Sequence, residues 1–161
     1  MKMLAGVLTI ACVLALPLAA RAQVDVQPNP NQSQLLTSAD PRLAANKRLV
    51  YDFWREVLEA GHMDLAPKYM LESYIQHNPN VPTGRAAFVD FFSKVSKPKP
   101  IESTIKAPLV AIVAERDLVV LSFVHKTADP KDKTKTYTTT WFDMFRVDGG
   151  KVAEHWDCDT R

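Results

Sequence analysis

The stretch KTYTTTWFDMFRVDGGKVAEHWD, residues 135–157, fixes the architecture. Two runs rich in β-branched and aromatic residues, Lys135 to Val147 and Lys151 to Asp157, flank the glycine pair Gly149-Gly150. Such runs around a two-residue glycine turn predict an antiparallel β-hairpin. Regular pairing then sets Val147 opposite Val152, Phe145 opposite Glu154 and Asp143 opposite Trp156. Strict alternation sorts the side chains onto two faces. One face holds Asp143, Phe145, Val147, Val152, Glu154 and Trp156, a mostly apolar wall with two carboxylates. The other holds Phe142, Met144, Arg146, Ala153, His155 and Asp157, a mixed surface suited to pairing with a second copy.

Working upstream, Ala107 to Ala114 and Leu118 to Lys126 read as two further strands, with turns at Glu115-Arg116-Asp117 and Asp129 to Asp132. Four strands in succession form an antiparallel meander. The first half has a helical period instead. Asp40-Pro41 makes a helix start, since the aspartate can cap and proline is tolerated at the first helical position. Leu43, Val50, Phe53, Trp54, Val57 and Leu58 follow at helical spacing, and Gly61 is placed to end the helix. Met63 to Met70 predicts a shorter helix, Ser73 to His77 a strand, and Asn78 to Pro82 a loop. Thr83 is positioned to cap a third helix carrying Phe88, Val89, Phe91, Phe92 and Val95. Helices first and strands after predict an α+β domain with its helices on one face of a curved sheet.

The chain begins with a positive Lys2, an apolar run from Leu4 to Leu18, and Ala20-Arg21-Ala22. This is the form of a cleaved secretory signal over residues 1–22, too short in its apolar part to span a bilayer. The mature protein is therefore expected in the periplasm or secreted, with no membrane attachment after cleavage. Residues 23–39 are polar and proline-rich and read as a flexible leader. The domain itself is expected over residues 40–161. Of the two cysteines only Cys158 lies beyond the signal, so no internal disulfide can form. A net charge of +2 with scattered basic residues excludes a nucleic-acid surface.

Three segments carry a resemblance: Tyr74-Ile75-Gln76-His77-Asn78-Pro79, Phe142 to Val147, and Gly150 to Asp157. Together they are similar to the SnoaL-like branch of the nuclear transport factor 2-like superfamily, over roughly Pro41 to Asp157. The resemblance implies a cone-shaped, curved antiparallel sheet with three N-terminal helices packed on its concave face. It also implies a small-molecule pocket and cofactor-free chemistry of the aldol-condensation, polyketide cyclase or isomerase type. Two positions depart from the pattern: Ser122 stands where a histidine is frequent, and Asn78 where ketosteroid isomerases keep a carboxylate base.

An aldol-type reaction needs a base beside a carbonyl and a donor for the enolate, in a site shut off from water. The expected catalytic residues are His77, which the motif places at the pocket rim, with Asp143 and Glu154 from the apolar hairpin face. Asp157 enters on the resemblance, although alternation puts it on the opposite face unless a bulge reorients it. Trp54, Tyr74, His125, Phe145 and Trp156 are expected to line the substrate pocket. No cofactor and no metal are expected, because His155 and Asp157 share a face without a third ligand. The leading reading is an exported acid–base enzyme acting on a small apolar carbonyl compound as a homodimer. The rivals are a ligand-binding module without catalysis, or a dimeric scaffold of the same fold.

Overall fold

The computed structural model describes residues 24–158; the signal segment and its cleavage before Gln23 lie outside them. Helix α2, Pro41–Phe53, starts as its sequence dictates, with the Asp40 carboxylate accepting the Arg42 N–H at 2.7 Å. It runs on as a π-turn over Trp54–Glu59, then stops at Gly61, whose φ of +76° favours glycine. A 3₁₀ turn over Met63–Leu65 and the short helix α3, Ala66–Tyr69, lead straight into strand β1, Met70–Gln76. Helix α4 spans Arg85–Val95 behind Gly84. Thr83 does not cap it; its hydroxyl instead accepts the Gln76 N–H at 3.1 Å and tethers the loop to β1.

Strands β2 (Leu109–Glu115), β3 (Leu118–Ala128), β4 (Thr136–Asp148) and β5 (Lys151–Asp157) form the expected meander. The sheet order is β1-β5-β4-β3-β2. β1 lies parallel to β5, so the sheet is mostly rather than wholly antiparallel. The cause is topological: the chain leaves β1 through α4, crosses to the far edge at β2, and meanders back until β5 meets β1. The domain is α+β, with the helices over the concave face of a curved sheet. Phe53 anchors that contact, its ring 5.8 to 6.3 Å from those of Phe145, Tyr69 and Phe88. Around it Val50, Val57, Leu121 and Val152 are fully buried.

The leader is docked rather than flexible. It contains a short helix α1, Gln32–Leu35, and buries Leu36 in the core. Gln32 donates to the Ile105 carbonyl at 2.8 Å and accepts from the Ile105 N–H at 3.1 Å and the Tyr51 hydroxyl at 2.6 Å. Its polar composition thus satisfies a stretch of backbone that has no sheet partner.

The hairpin of β4 and β5 departs from regular pairing at one point. Val147 pairs with Val152 as expected, but Arg146 pairs with Glu154, leaving Ala153 as an extra residue. This β-bulge shifts everything beyond it by one place. Phe145 faces His155, Met144 faces Trp156, and Asp143 faces Asp157. Hence His155 and Asp157 turn inward beneath the helices, while Glu154 and Trp156 turn outward.

Candidate active site

The site forms where β4, β5 and the end of β1 meet the π-turn. Asp143, 8 % exposed, and His155, 7 % exposed, are two of the three buried polar residues among those described. His155 Nε2 stands 3.3 Å from Asp143 Oδ1. The Trp54 indole donates to Asp143 Oδ2 at 2.9 Å and the Trp141 indole to Oδ1 at 3.1 Å. Trp54 is the first residue of the π-turn, and such local widening of a helix recurs at functional sites. Its ring stacks on Phe123 with centroids 4.6 Å apart. The Phe145 ring supports His155 from below at 4.5 Å.

A second carboxylate completes the cluster. Asn78 Nδ2 donates to both oxygens of Asp157, at 2.8 and 2.9 Å. Gln76 links the remaining groups: its Oε1 meets His155 Nδ1 at 3.1 Å, and its Nε2 donates to the Tyr74 hydroxyl at 3.0 Å. Burial pushes the Asp143 carboxyl up, but the hydrogen bond and charge of His155 and the two indole donors more than offset this. The carboxyl is held below its ordinary value. Tyr74 moves the opposite way: burial first, then the charges of Asp157 and Asp143, push its phenol above the usual range.

Asp143, His155 and Asp157 each offer a metal-ligand atom, all within 4.8 Å of one another. The third ligand that alternation left out is therefore Asp143, brought in by the bulge. The carboxylate oxygens also accept N–H groups, and His155 Nδ1 is turned to Gln76, which leaves Nε2 as the ring atom facing the cluster.

Four of the expected residues, Asp143, Asp157, Trp54 and Tyr74, converge here, and Phe145 forms the floor. His125 shares the inner face but sits four residues along β3 from Leu121, the partner of Asp143. That is roughly 13 Å away along the strand, with its ring against Trp141. His77, Glu154 and Trp156 do not belong to the site. Gln76 pairs with His155, so the next residue, His77, points outward. There it lies flat on Trp156 at 4.5 Å and contacts Glu154 Oε2 at 3.0 Å. His77 and then Arg146, whose Nε reaches Glu154 at 2.6 Å, hold the Glu154 carboxyl below its ordinary value. Sequence reasoning missed His155, Gln76, Asn78 and Trp141. A cleft of about 390 Å³ between the π-turn and residues 99–106 carries Arg55, Glu59 and Lys106. These are engaged with Glu102, Asp52, Glu56 and backbone groups, while Arg55 Nε is buried without a partner.

A curved sheet roofed by helices, with titratable groups gathered on its concave face, defines a small α+β protein built around an interior polar site. The SnoaL-like domain model matches residues 50–155, and the chain belongs to that family. Solved structures share the fold. One, named for a SnoaL-like polyketide cyclase from Jannaschia Sp. CCS1, has 16 % identity and a TM-score of 0.53 over 76 % of this chain and 90 % of that one. A polyketide cyclase-type protein from Acidithiobacillus ferrooxidans gives 18 % and 0.51 over 76 % and 90 %. An LEH-like epoxide hydrolase from M. tuberculosis gives 12 % and 0.51 over 73 % and 84 %. No curated protein matches the chain.

Proposed function

We propose that this chain is a cofactor-free acid–base enzyme acting on a small, largely apolar carbonyl compound, by aldol-type condensation, cyclisation or isomerisation. The observation that carries the reading is the convergence of Asp143, His155 and Asp157 within 4.8 Å, beneath two tryptophans on the helix-covered face. In this reading Asp157, held open by Asn78, takes the proton beside the carbonyl. His155, backed by Asp143, supplies a proton or hydrogen bond to the oxygen on which charge develops. Trp54, Trp141 and Phe123 provide the apolar wall. The names of the solved neighbours as polyketide cyclases support the class; their low identity speaks to the fold alone.

Proton abstraction can be tested without knowing the product. Incubating the protein in D₂O with a panel of cyclic ketones and 1,3-dicarbonyl compounds should give solvent deuterium at the α-carbon of at least one. Asp157→Asn and His155→Ala should each slow that exchange by about 10²–10⁴. Binding of panel members with no exchange above the variants would favour a ligand-binding module instead. We propose further that the protein is exported after removal of residues 1–22 and works as a homodimer. N-terminal sequencing of exported material should give Gln23.

A further inference from the structure

The ring and hydroxyl donors gathered on the inner face can be followed one hydrogen at a time. The Trp54 and Trp141 indoles are both directed at Asp143, and His155 has one ring nitrogen at Asp143 and the other at Gln76. Tyr74 remains. The Gln76 amide beside it is oriented by the backbone N–H of Asn78, which donates to Oε1 at 3.0 Å and so turns Nε2 to the Tyr74 hydroxyl, also at 3.0 Å. An amide nitrogen donates and does not accept, so the hydroxyl oxygen is the acceptor in that bond and its own hydrogen points elsewhere. No acceptor for that hydrogen stands among the described residues. With Tyr74 only 1 % exposed, bulk water does not supply one. A buried hydroxyl with its hydrogen unpaired is costly, and such a group in a folded protein calls for a partner.

We propose that the Tyr74 hydroxyl is the hydrogen-bond donor that receives the substrate's carbonyl oxygen, a catalytic contact beyond those of the Asp143–His155–Asp157 cluster. The assignment rests on the proposed acid–base function for the identity of the ligand. Its direction follows from the network, because a group that already accepts from Gln76 and has a hydrogen to place is matched by an oxygen with lone pairs and no hydrogen of its own. Burial, together with the charges of Asp157 and Asp143, keeps that hydrogen on the phenol. The same two negative charges disfavour a ligand that arrives as a carboxylate and admit a neutral ketone or ester oxygen. Tyr74 and His155 contact the two ends of one Gln76 amide, so the phenol joins the cluster through a single side chain. A donor fixed in this way, away from water, favours the charge that develops on the oxygen.

Tyr74→Phe deletes the hydroxyl and keeps the ring against Phe88, 5.6 Å away. Infrared difference spectra of the same ketone and 1,3-dicarbonyl panel, labelled with ¹³C at the carbonyl and bound to the protein, read the hydrogen bond directly. The carbonyl stretch should lie lower in wild type than in Tyr74→Phe. The dissociation constant should rise about 2- to 10-fold in the variant, and deuterium exchange at saturating ligand should slow by about 10²–10³. Equal stretches and equal affinities in the two proteins would overturn the assignment and give the phenol hydrogen to a buried water, and failure of every panel member to bind wild type would overturn it too. Should the phenylalanine variant fail to fold, 3-fluorotyrosine at position 74 keeps the hydroxyl as a stronger donor. It should move the stretch further down, and an unmoved stretch counts against the contact. A stretch that depends on Tyr74 without any deuterium exchange sinks the catalytic reading and leaves the contact standing, whereas exchange at the wild-type rate in Tyr74→Phe does the reverse.

Discussion

At the scale of the residue, Asp143 is the group on which the site turns. It is buried with a negative charge, and burying a lone carboxylate is costly unless donors compensate. Trp54, Trp141 and His155 are those donors. In Asp143→Asn the amide nitrogen must face one of these N–H groups, so we expect a loss of about 1–3 kcal/mol, the penalty for an unsatisfied buried donor. Urea denaturation measures it. The effect should also depend on pH in a defined sense. The folded carboxyl lies below its unfolded value, so its stabilisation is complete above the ordinary aspartate value of about 3.9. It is lost as pH falls through the lower folded value. The difference in unfolding free energy between wild type and Asp143→Asn should therefore shrink as pH falls below about 4. A difference that grows there would contradict it. His77 supplies the contrast, because its contacts are with Trp156 and Glu154 on the outer face. His77→Ala should leave deuterium exchange at the wild-type rate where His155→Ala slows it, and equal losses in the two variants would place His77 in the mechanism after all.

At the scale of the element, the π-turn owes its position to the glycine at its C-terminal end. Gly61 closes that turn at φ +76°, and a Cβ built there would lie 2.6 Å from Ser96 Oγ and 2.8 Å from the Lys97 carbonyl oxygen. The hydroxyl can swing away but the backbone cannot. Gly61→Ala should thus carry both the left-handed strain of about 1–2 kcal/mol and a clash, seen as a fall in the urea midpoint together with weaker protection of the Lys99 amide, which donates to the Ala60 carbonyl. An unchanged midpoint would show that this backbone yields. The elements themselves were legible in the sequence, because period and turn chemistry are local: the cap at Asp40, the stop at Gly61 and the Gly149-Gly150 turn all stand as expected. What was not legible is parity. Regular alternation from the turn put Glu154 and Trp156 inward, and one extra residue at Ala153 reversed every later side chain. The signal was the adjacent apolar pair Val152 and Ala153, both buried, where alternation demands one of each kind. His77 was displaced by a similar single step. Its motif pointed to the right place in the chain, but the register of β1 on β5 gives the inward position to Gln76.

At the scale of the whole molecule, the bulge divides the chemistry between two faces. The inner face holds the acid–base cluster under the helices. The outer face carries an apolar groove of about 270 Å³ lined by Val120, Phe142, Met144, Trp156 and Cys158, and Asp157, at the end of β5, reaches its edge as well. Phe142 is 44 % exposed beside that groove, and Val113, 58 % exposed, pairs with Val120. A shallow apolar depression with an exposed aromatic in its lining is a surface that a two-fold axis can pair with its own copy. The Arg146–Glu154 ion pair at 2.6 Å would form part of a polar rim around it. The same amino acid that a regular hairpin would have left inside, Trp156, thereby lies on the face proposed for association. We expect light scattering at micromolar concentration to give the mass of a dimer, with a total buried area in the range of about 1,200–2,000 Å² typical of stable pairs. Phe142→Glu places a charge at the centre of the face and should yield a monomer. Because Phe142 and Asp143 point to opposite sides of β4, that monomer should stay folded with its inner cluster intact. A wild-type monomer at that concentration would refute the pairing, and a Phe142→Glu protein that remains dimeric would move the interface off the sheet.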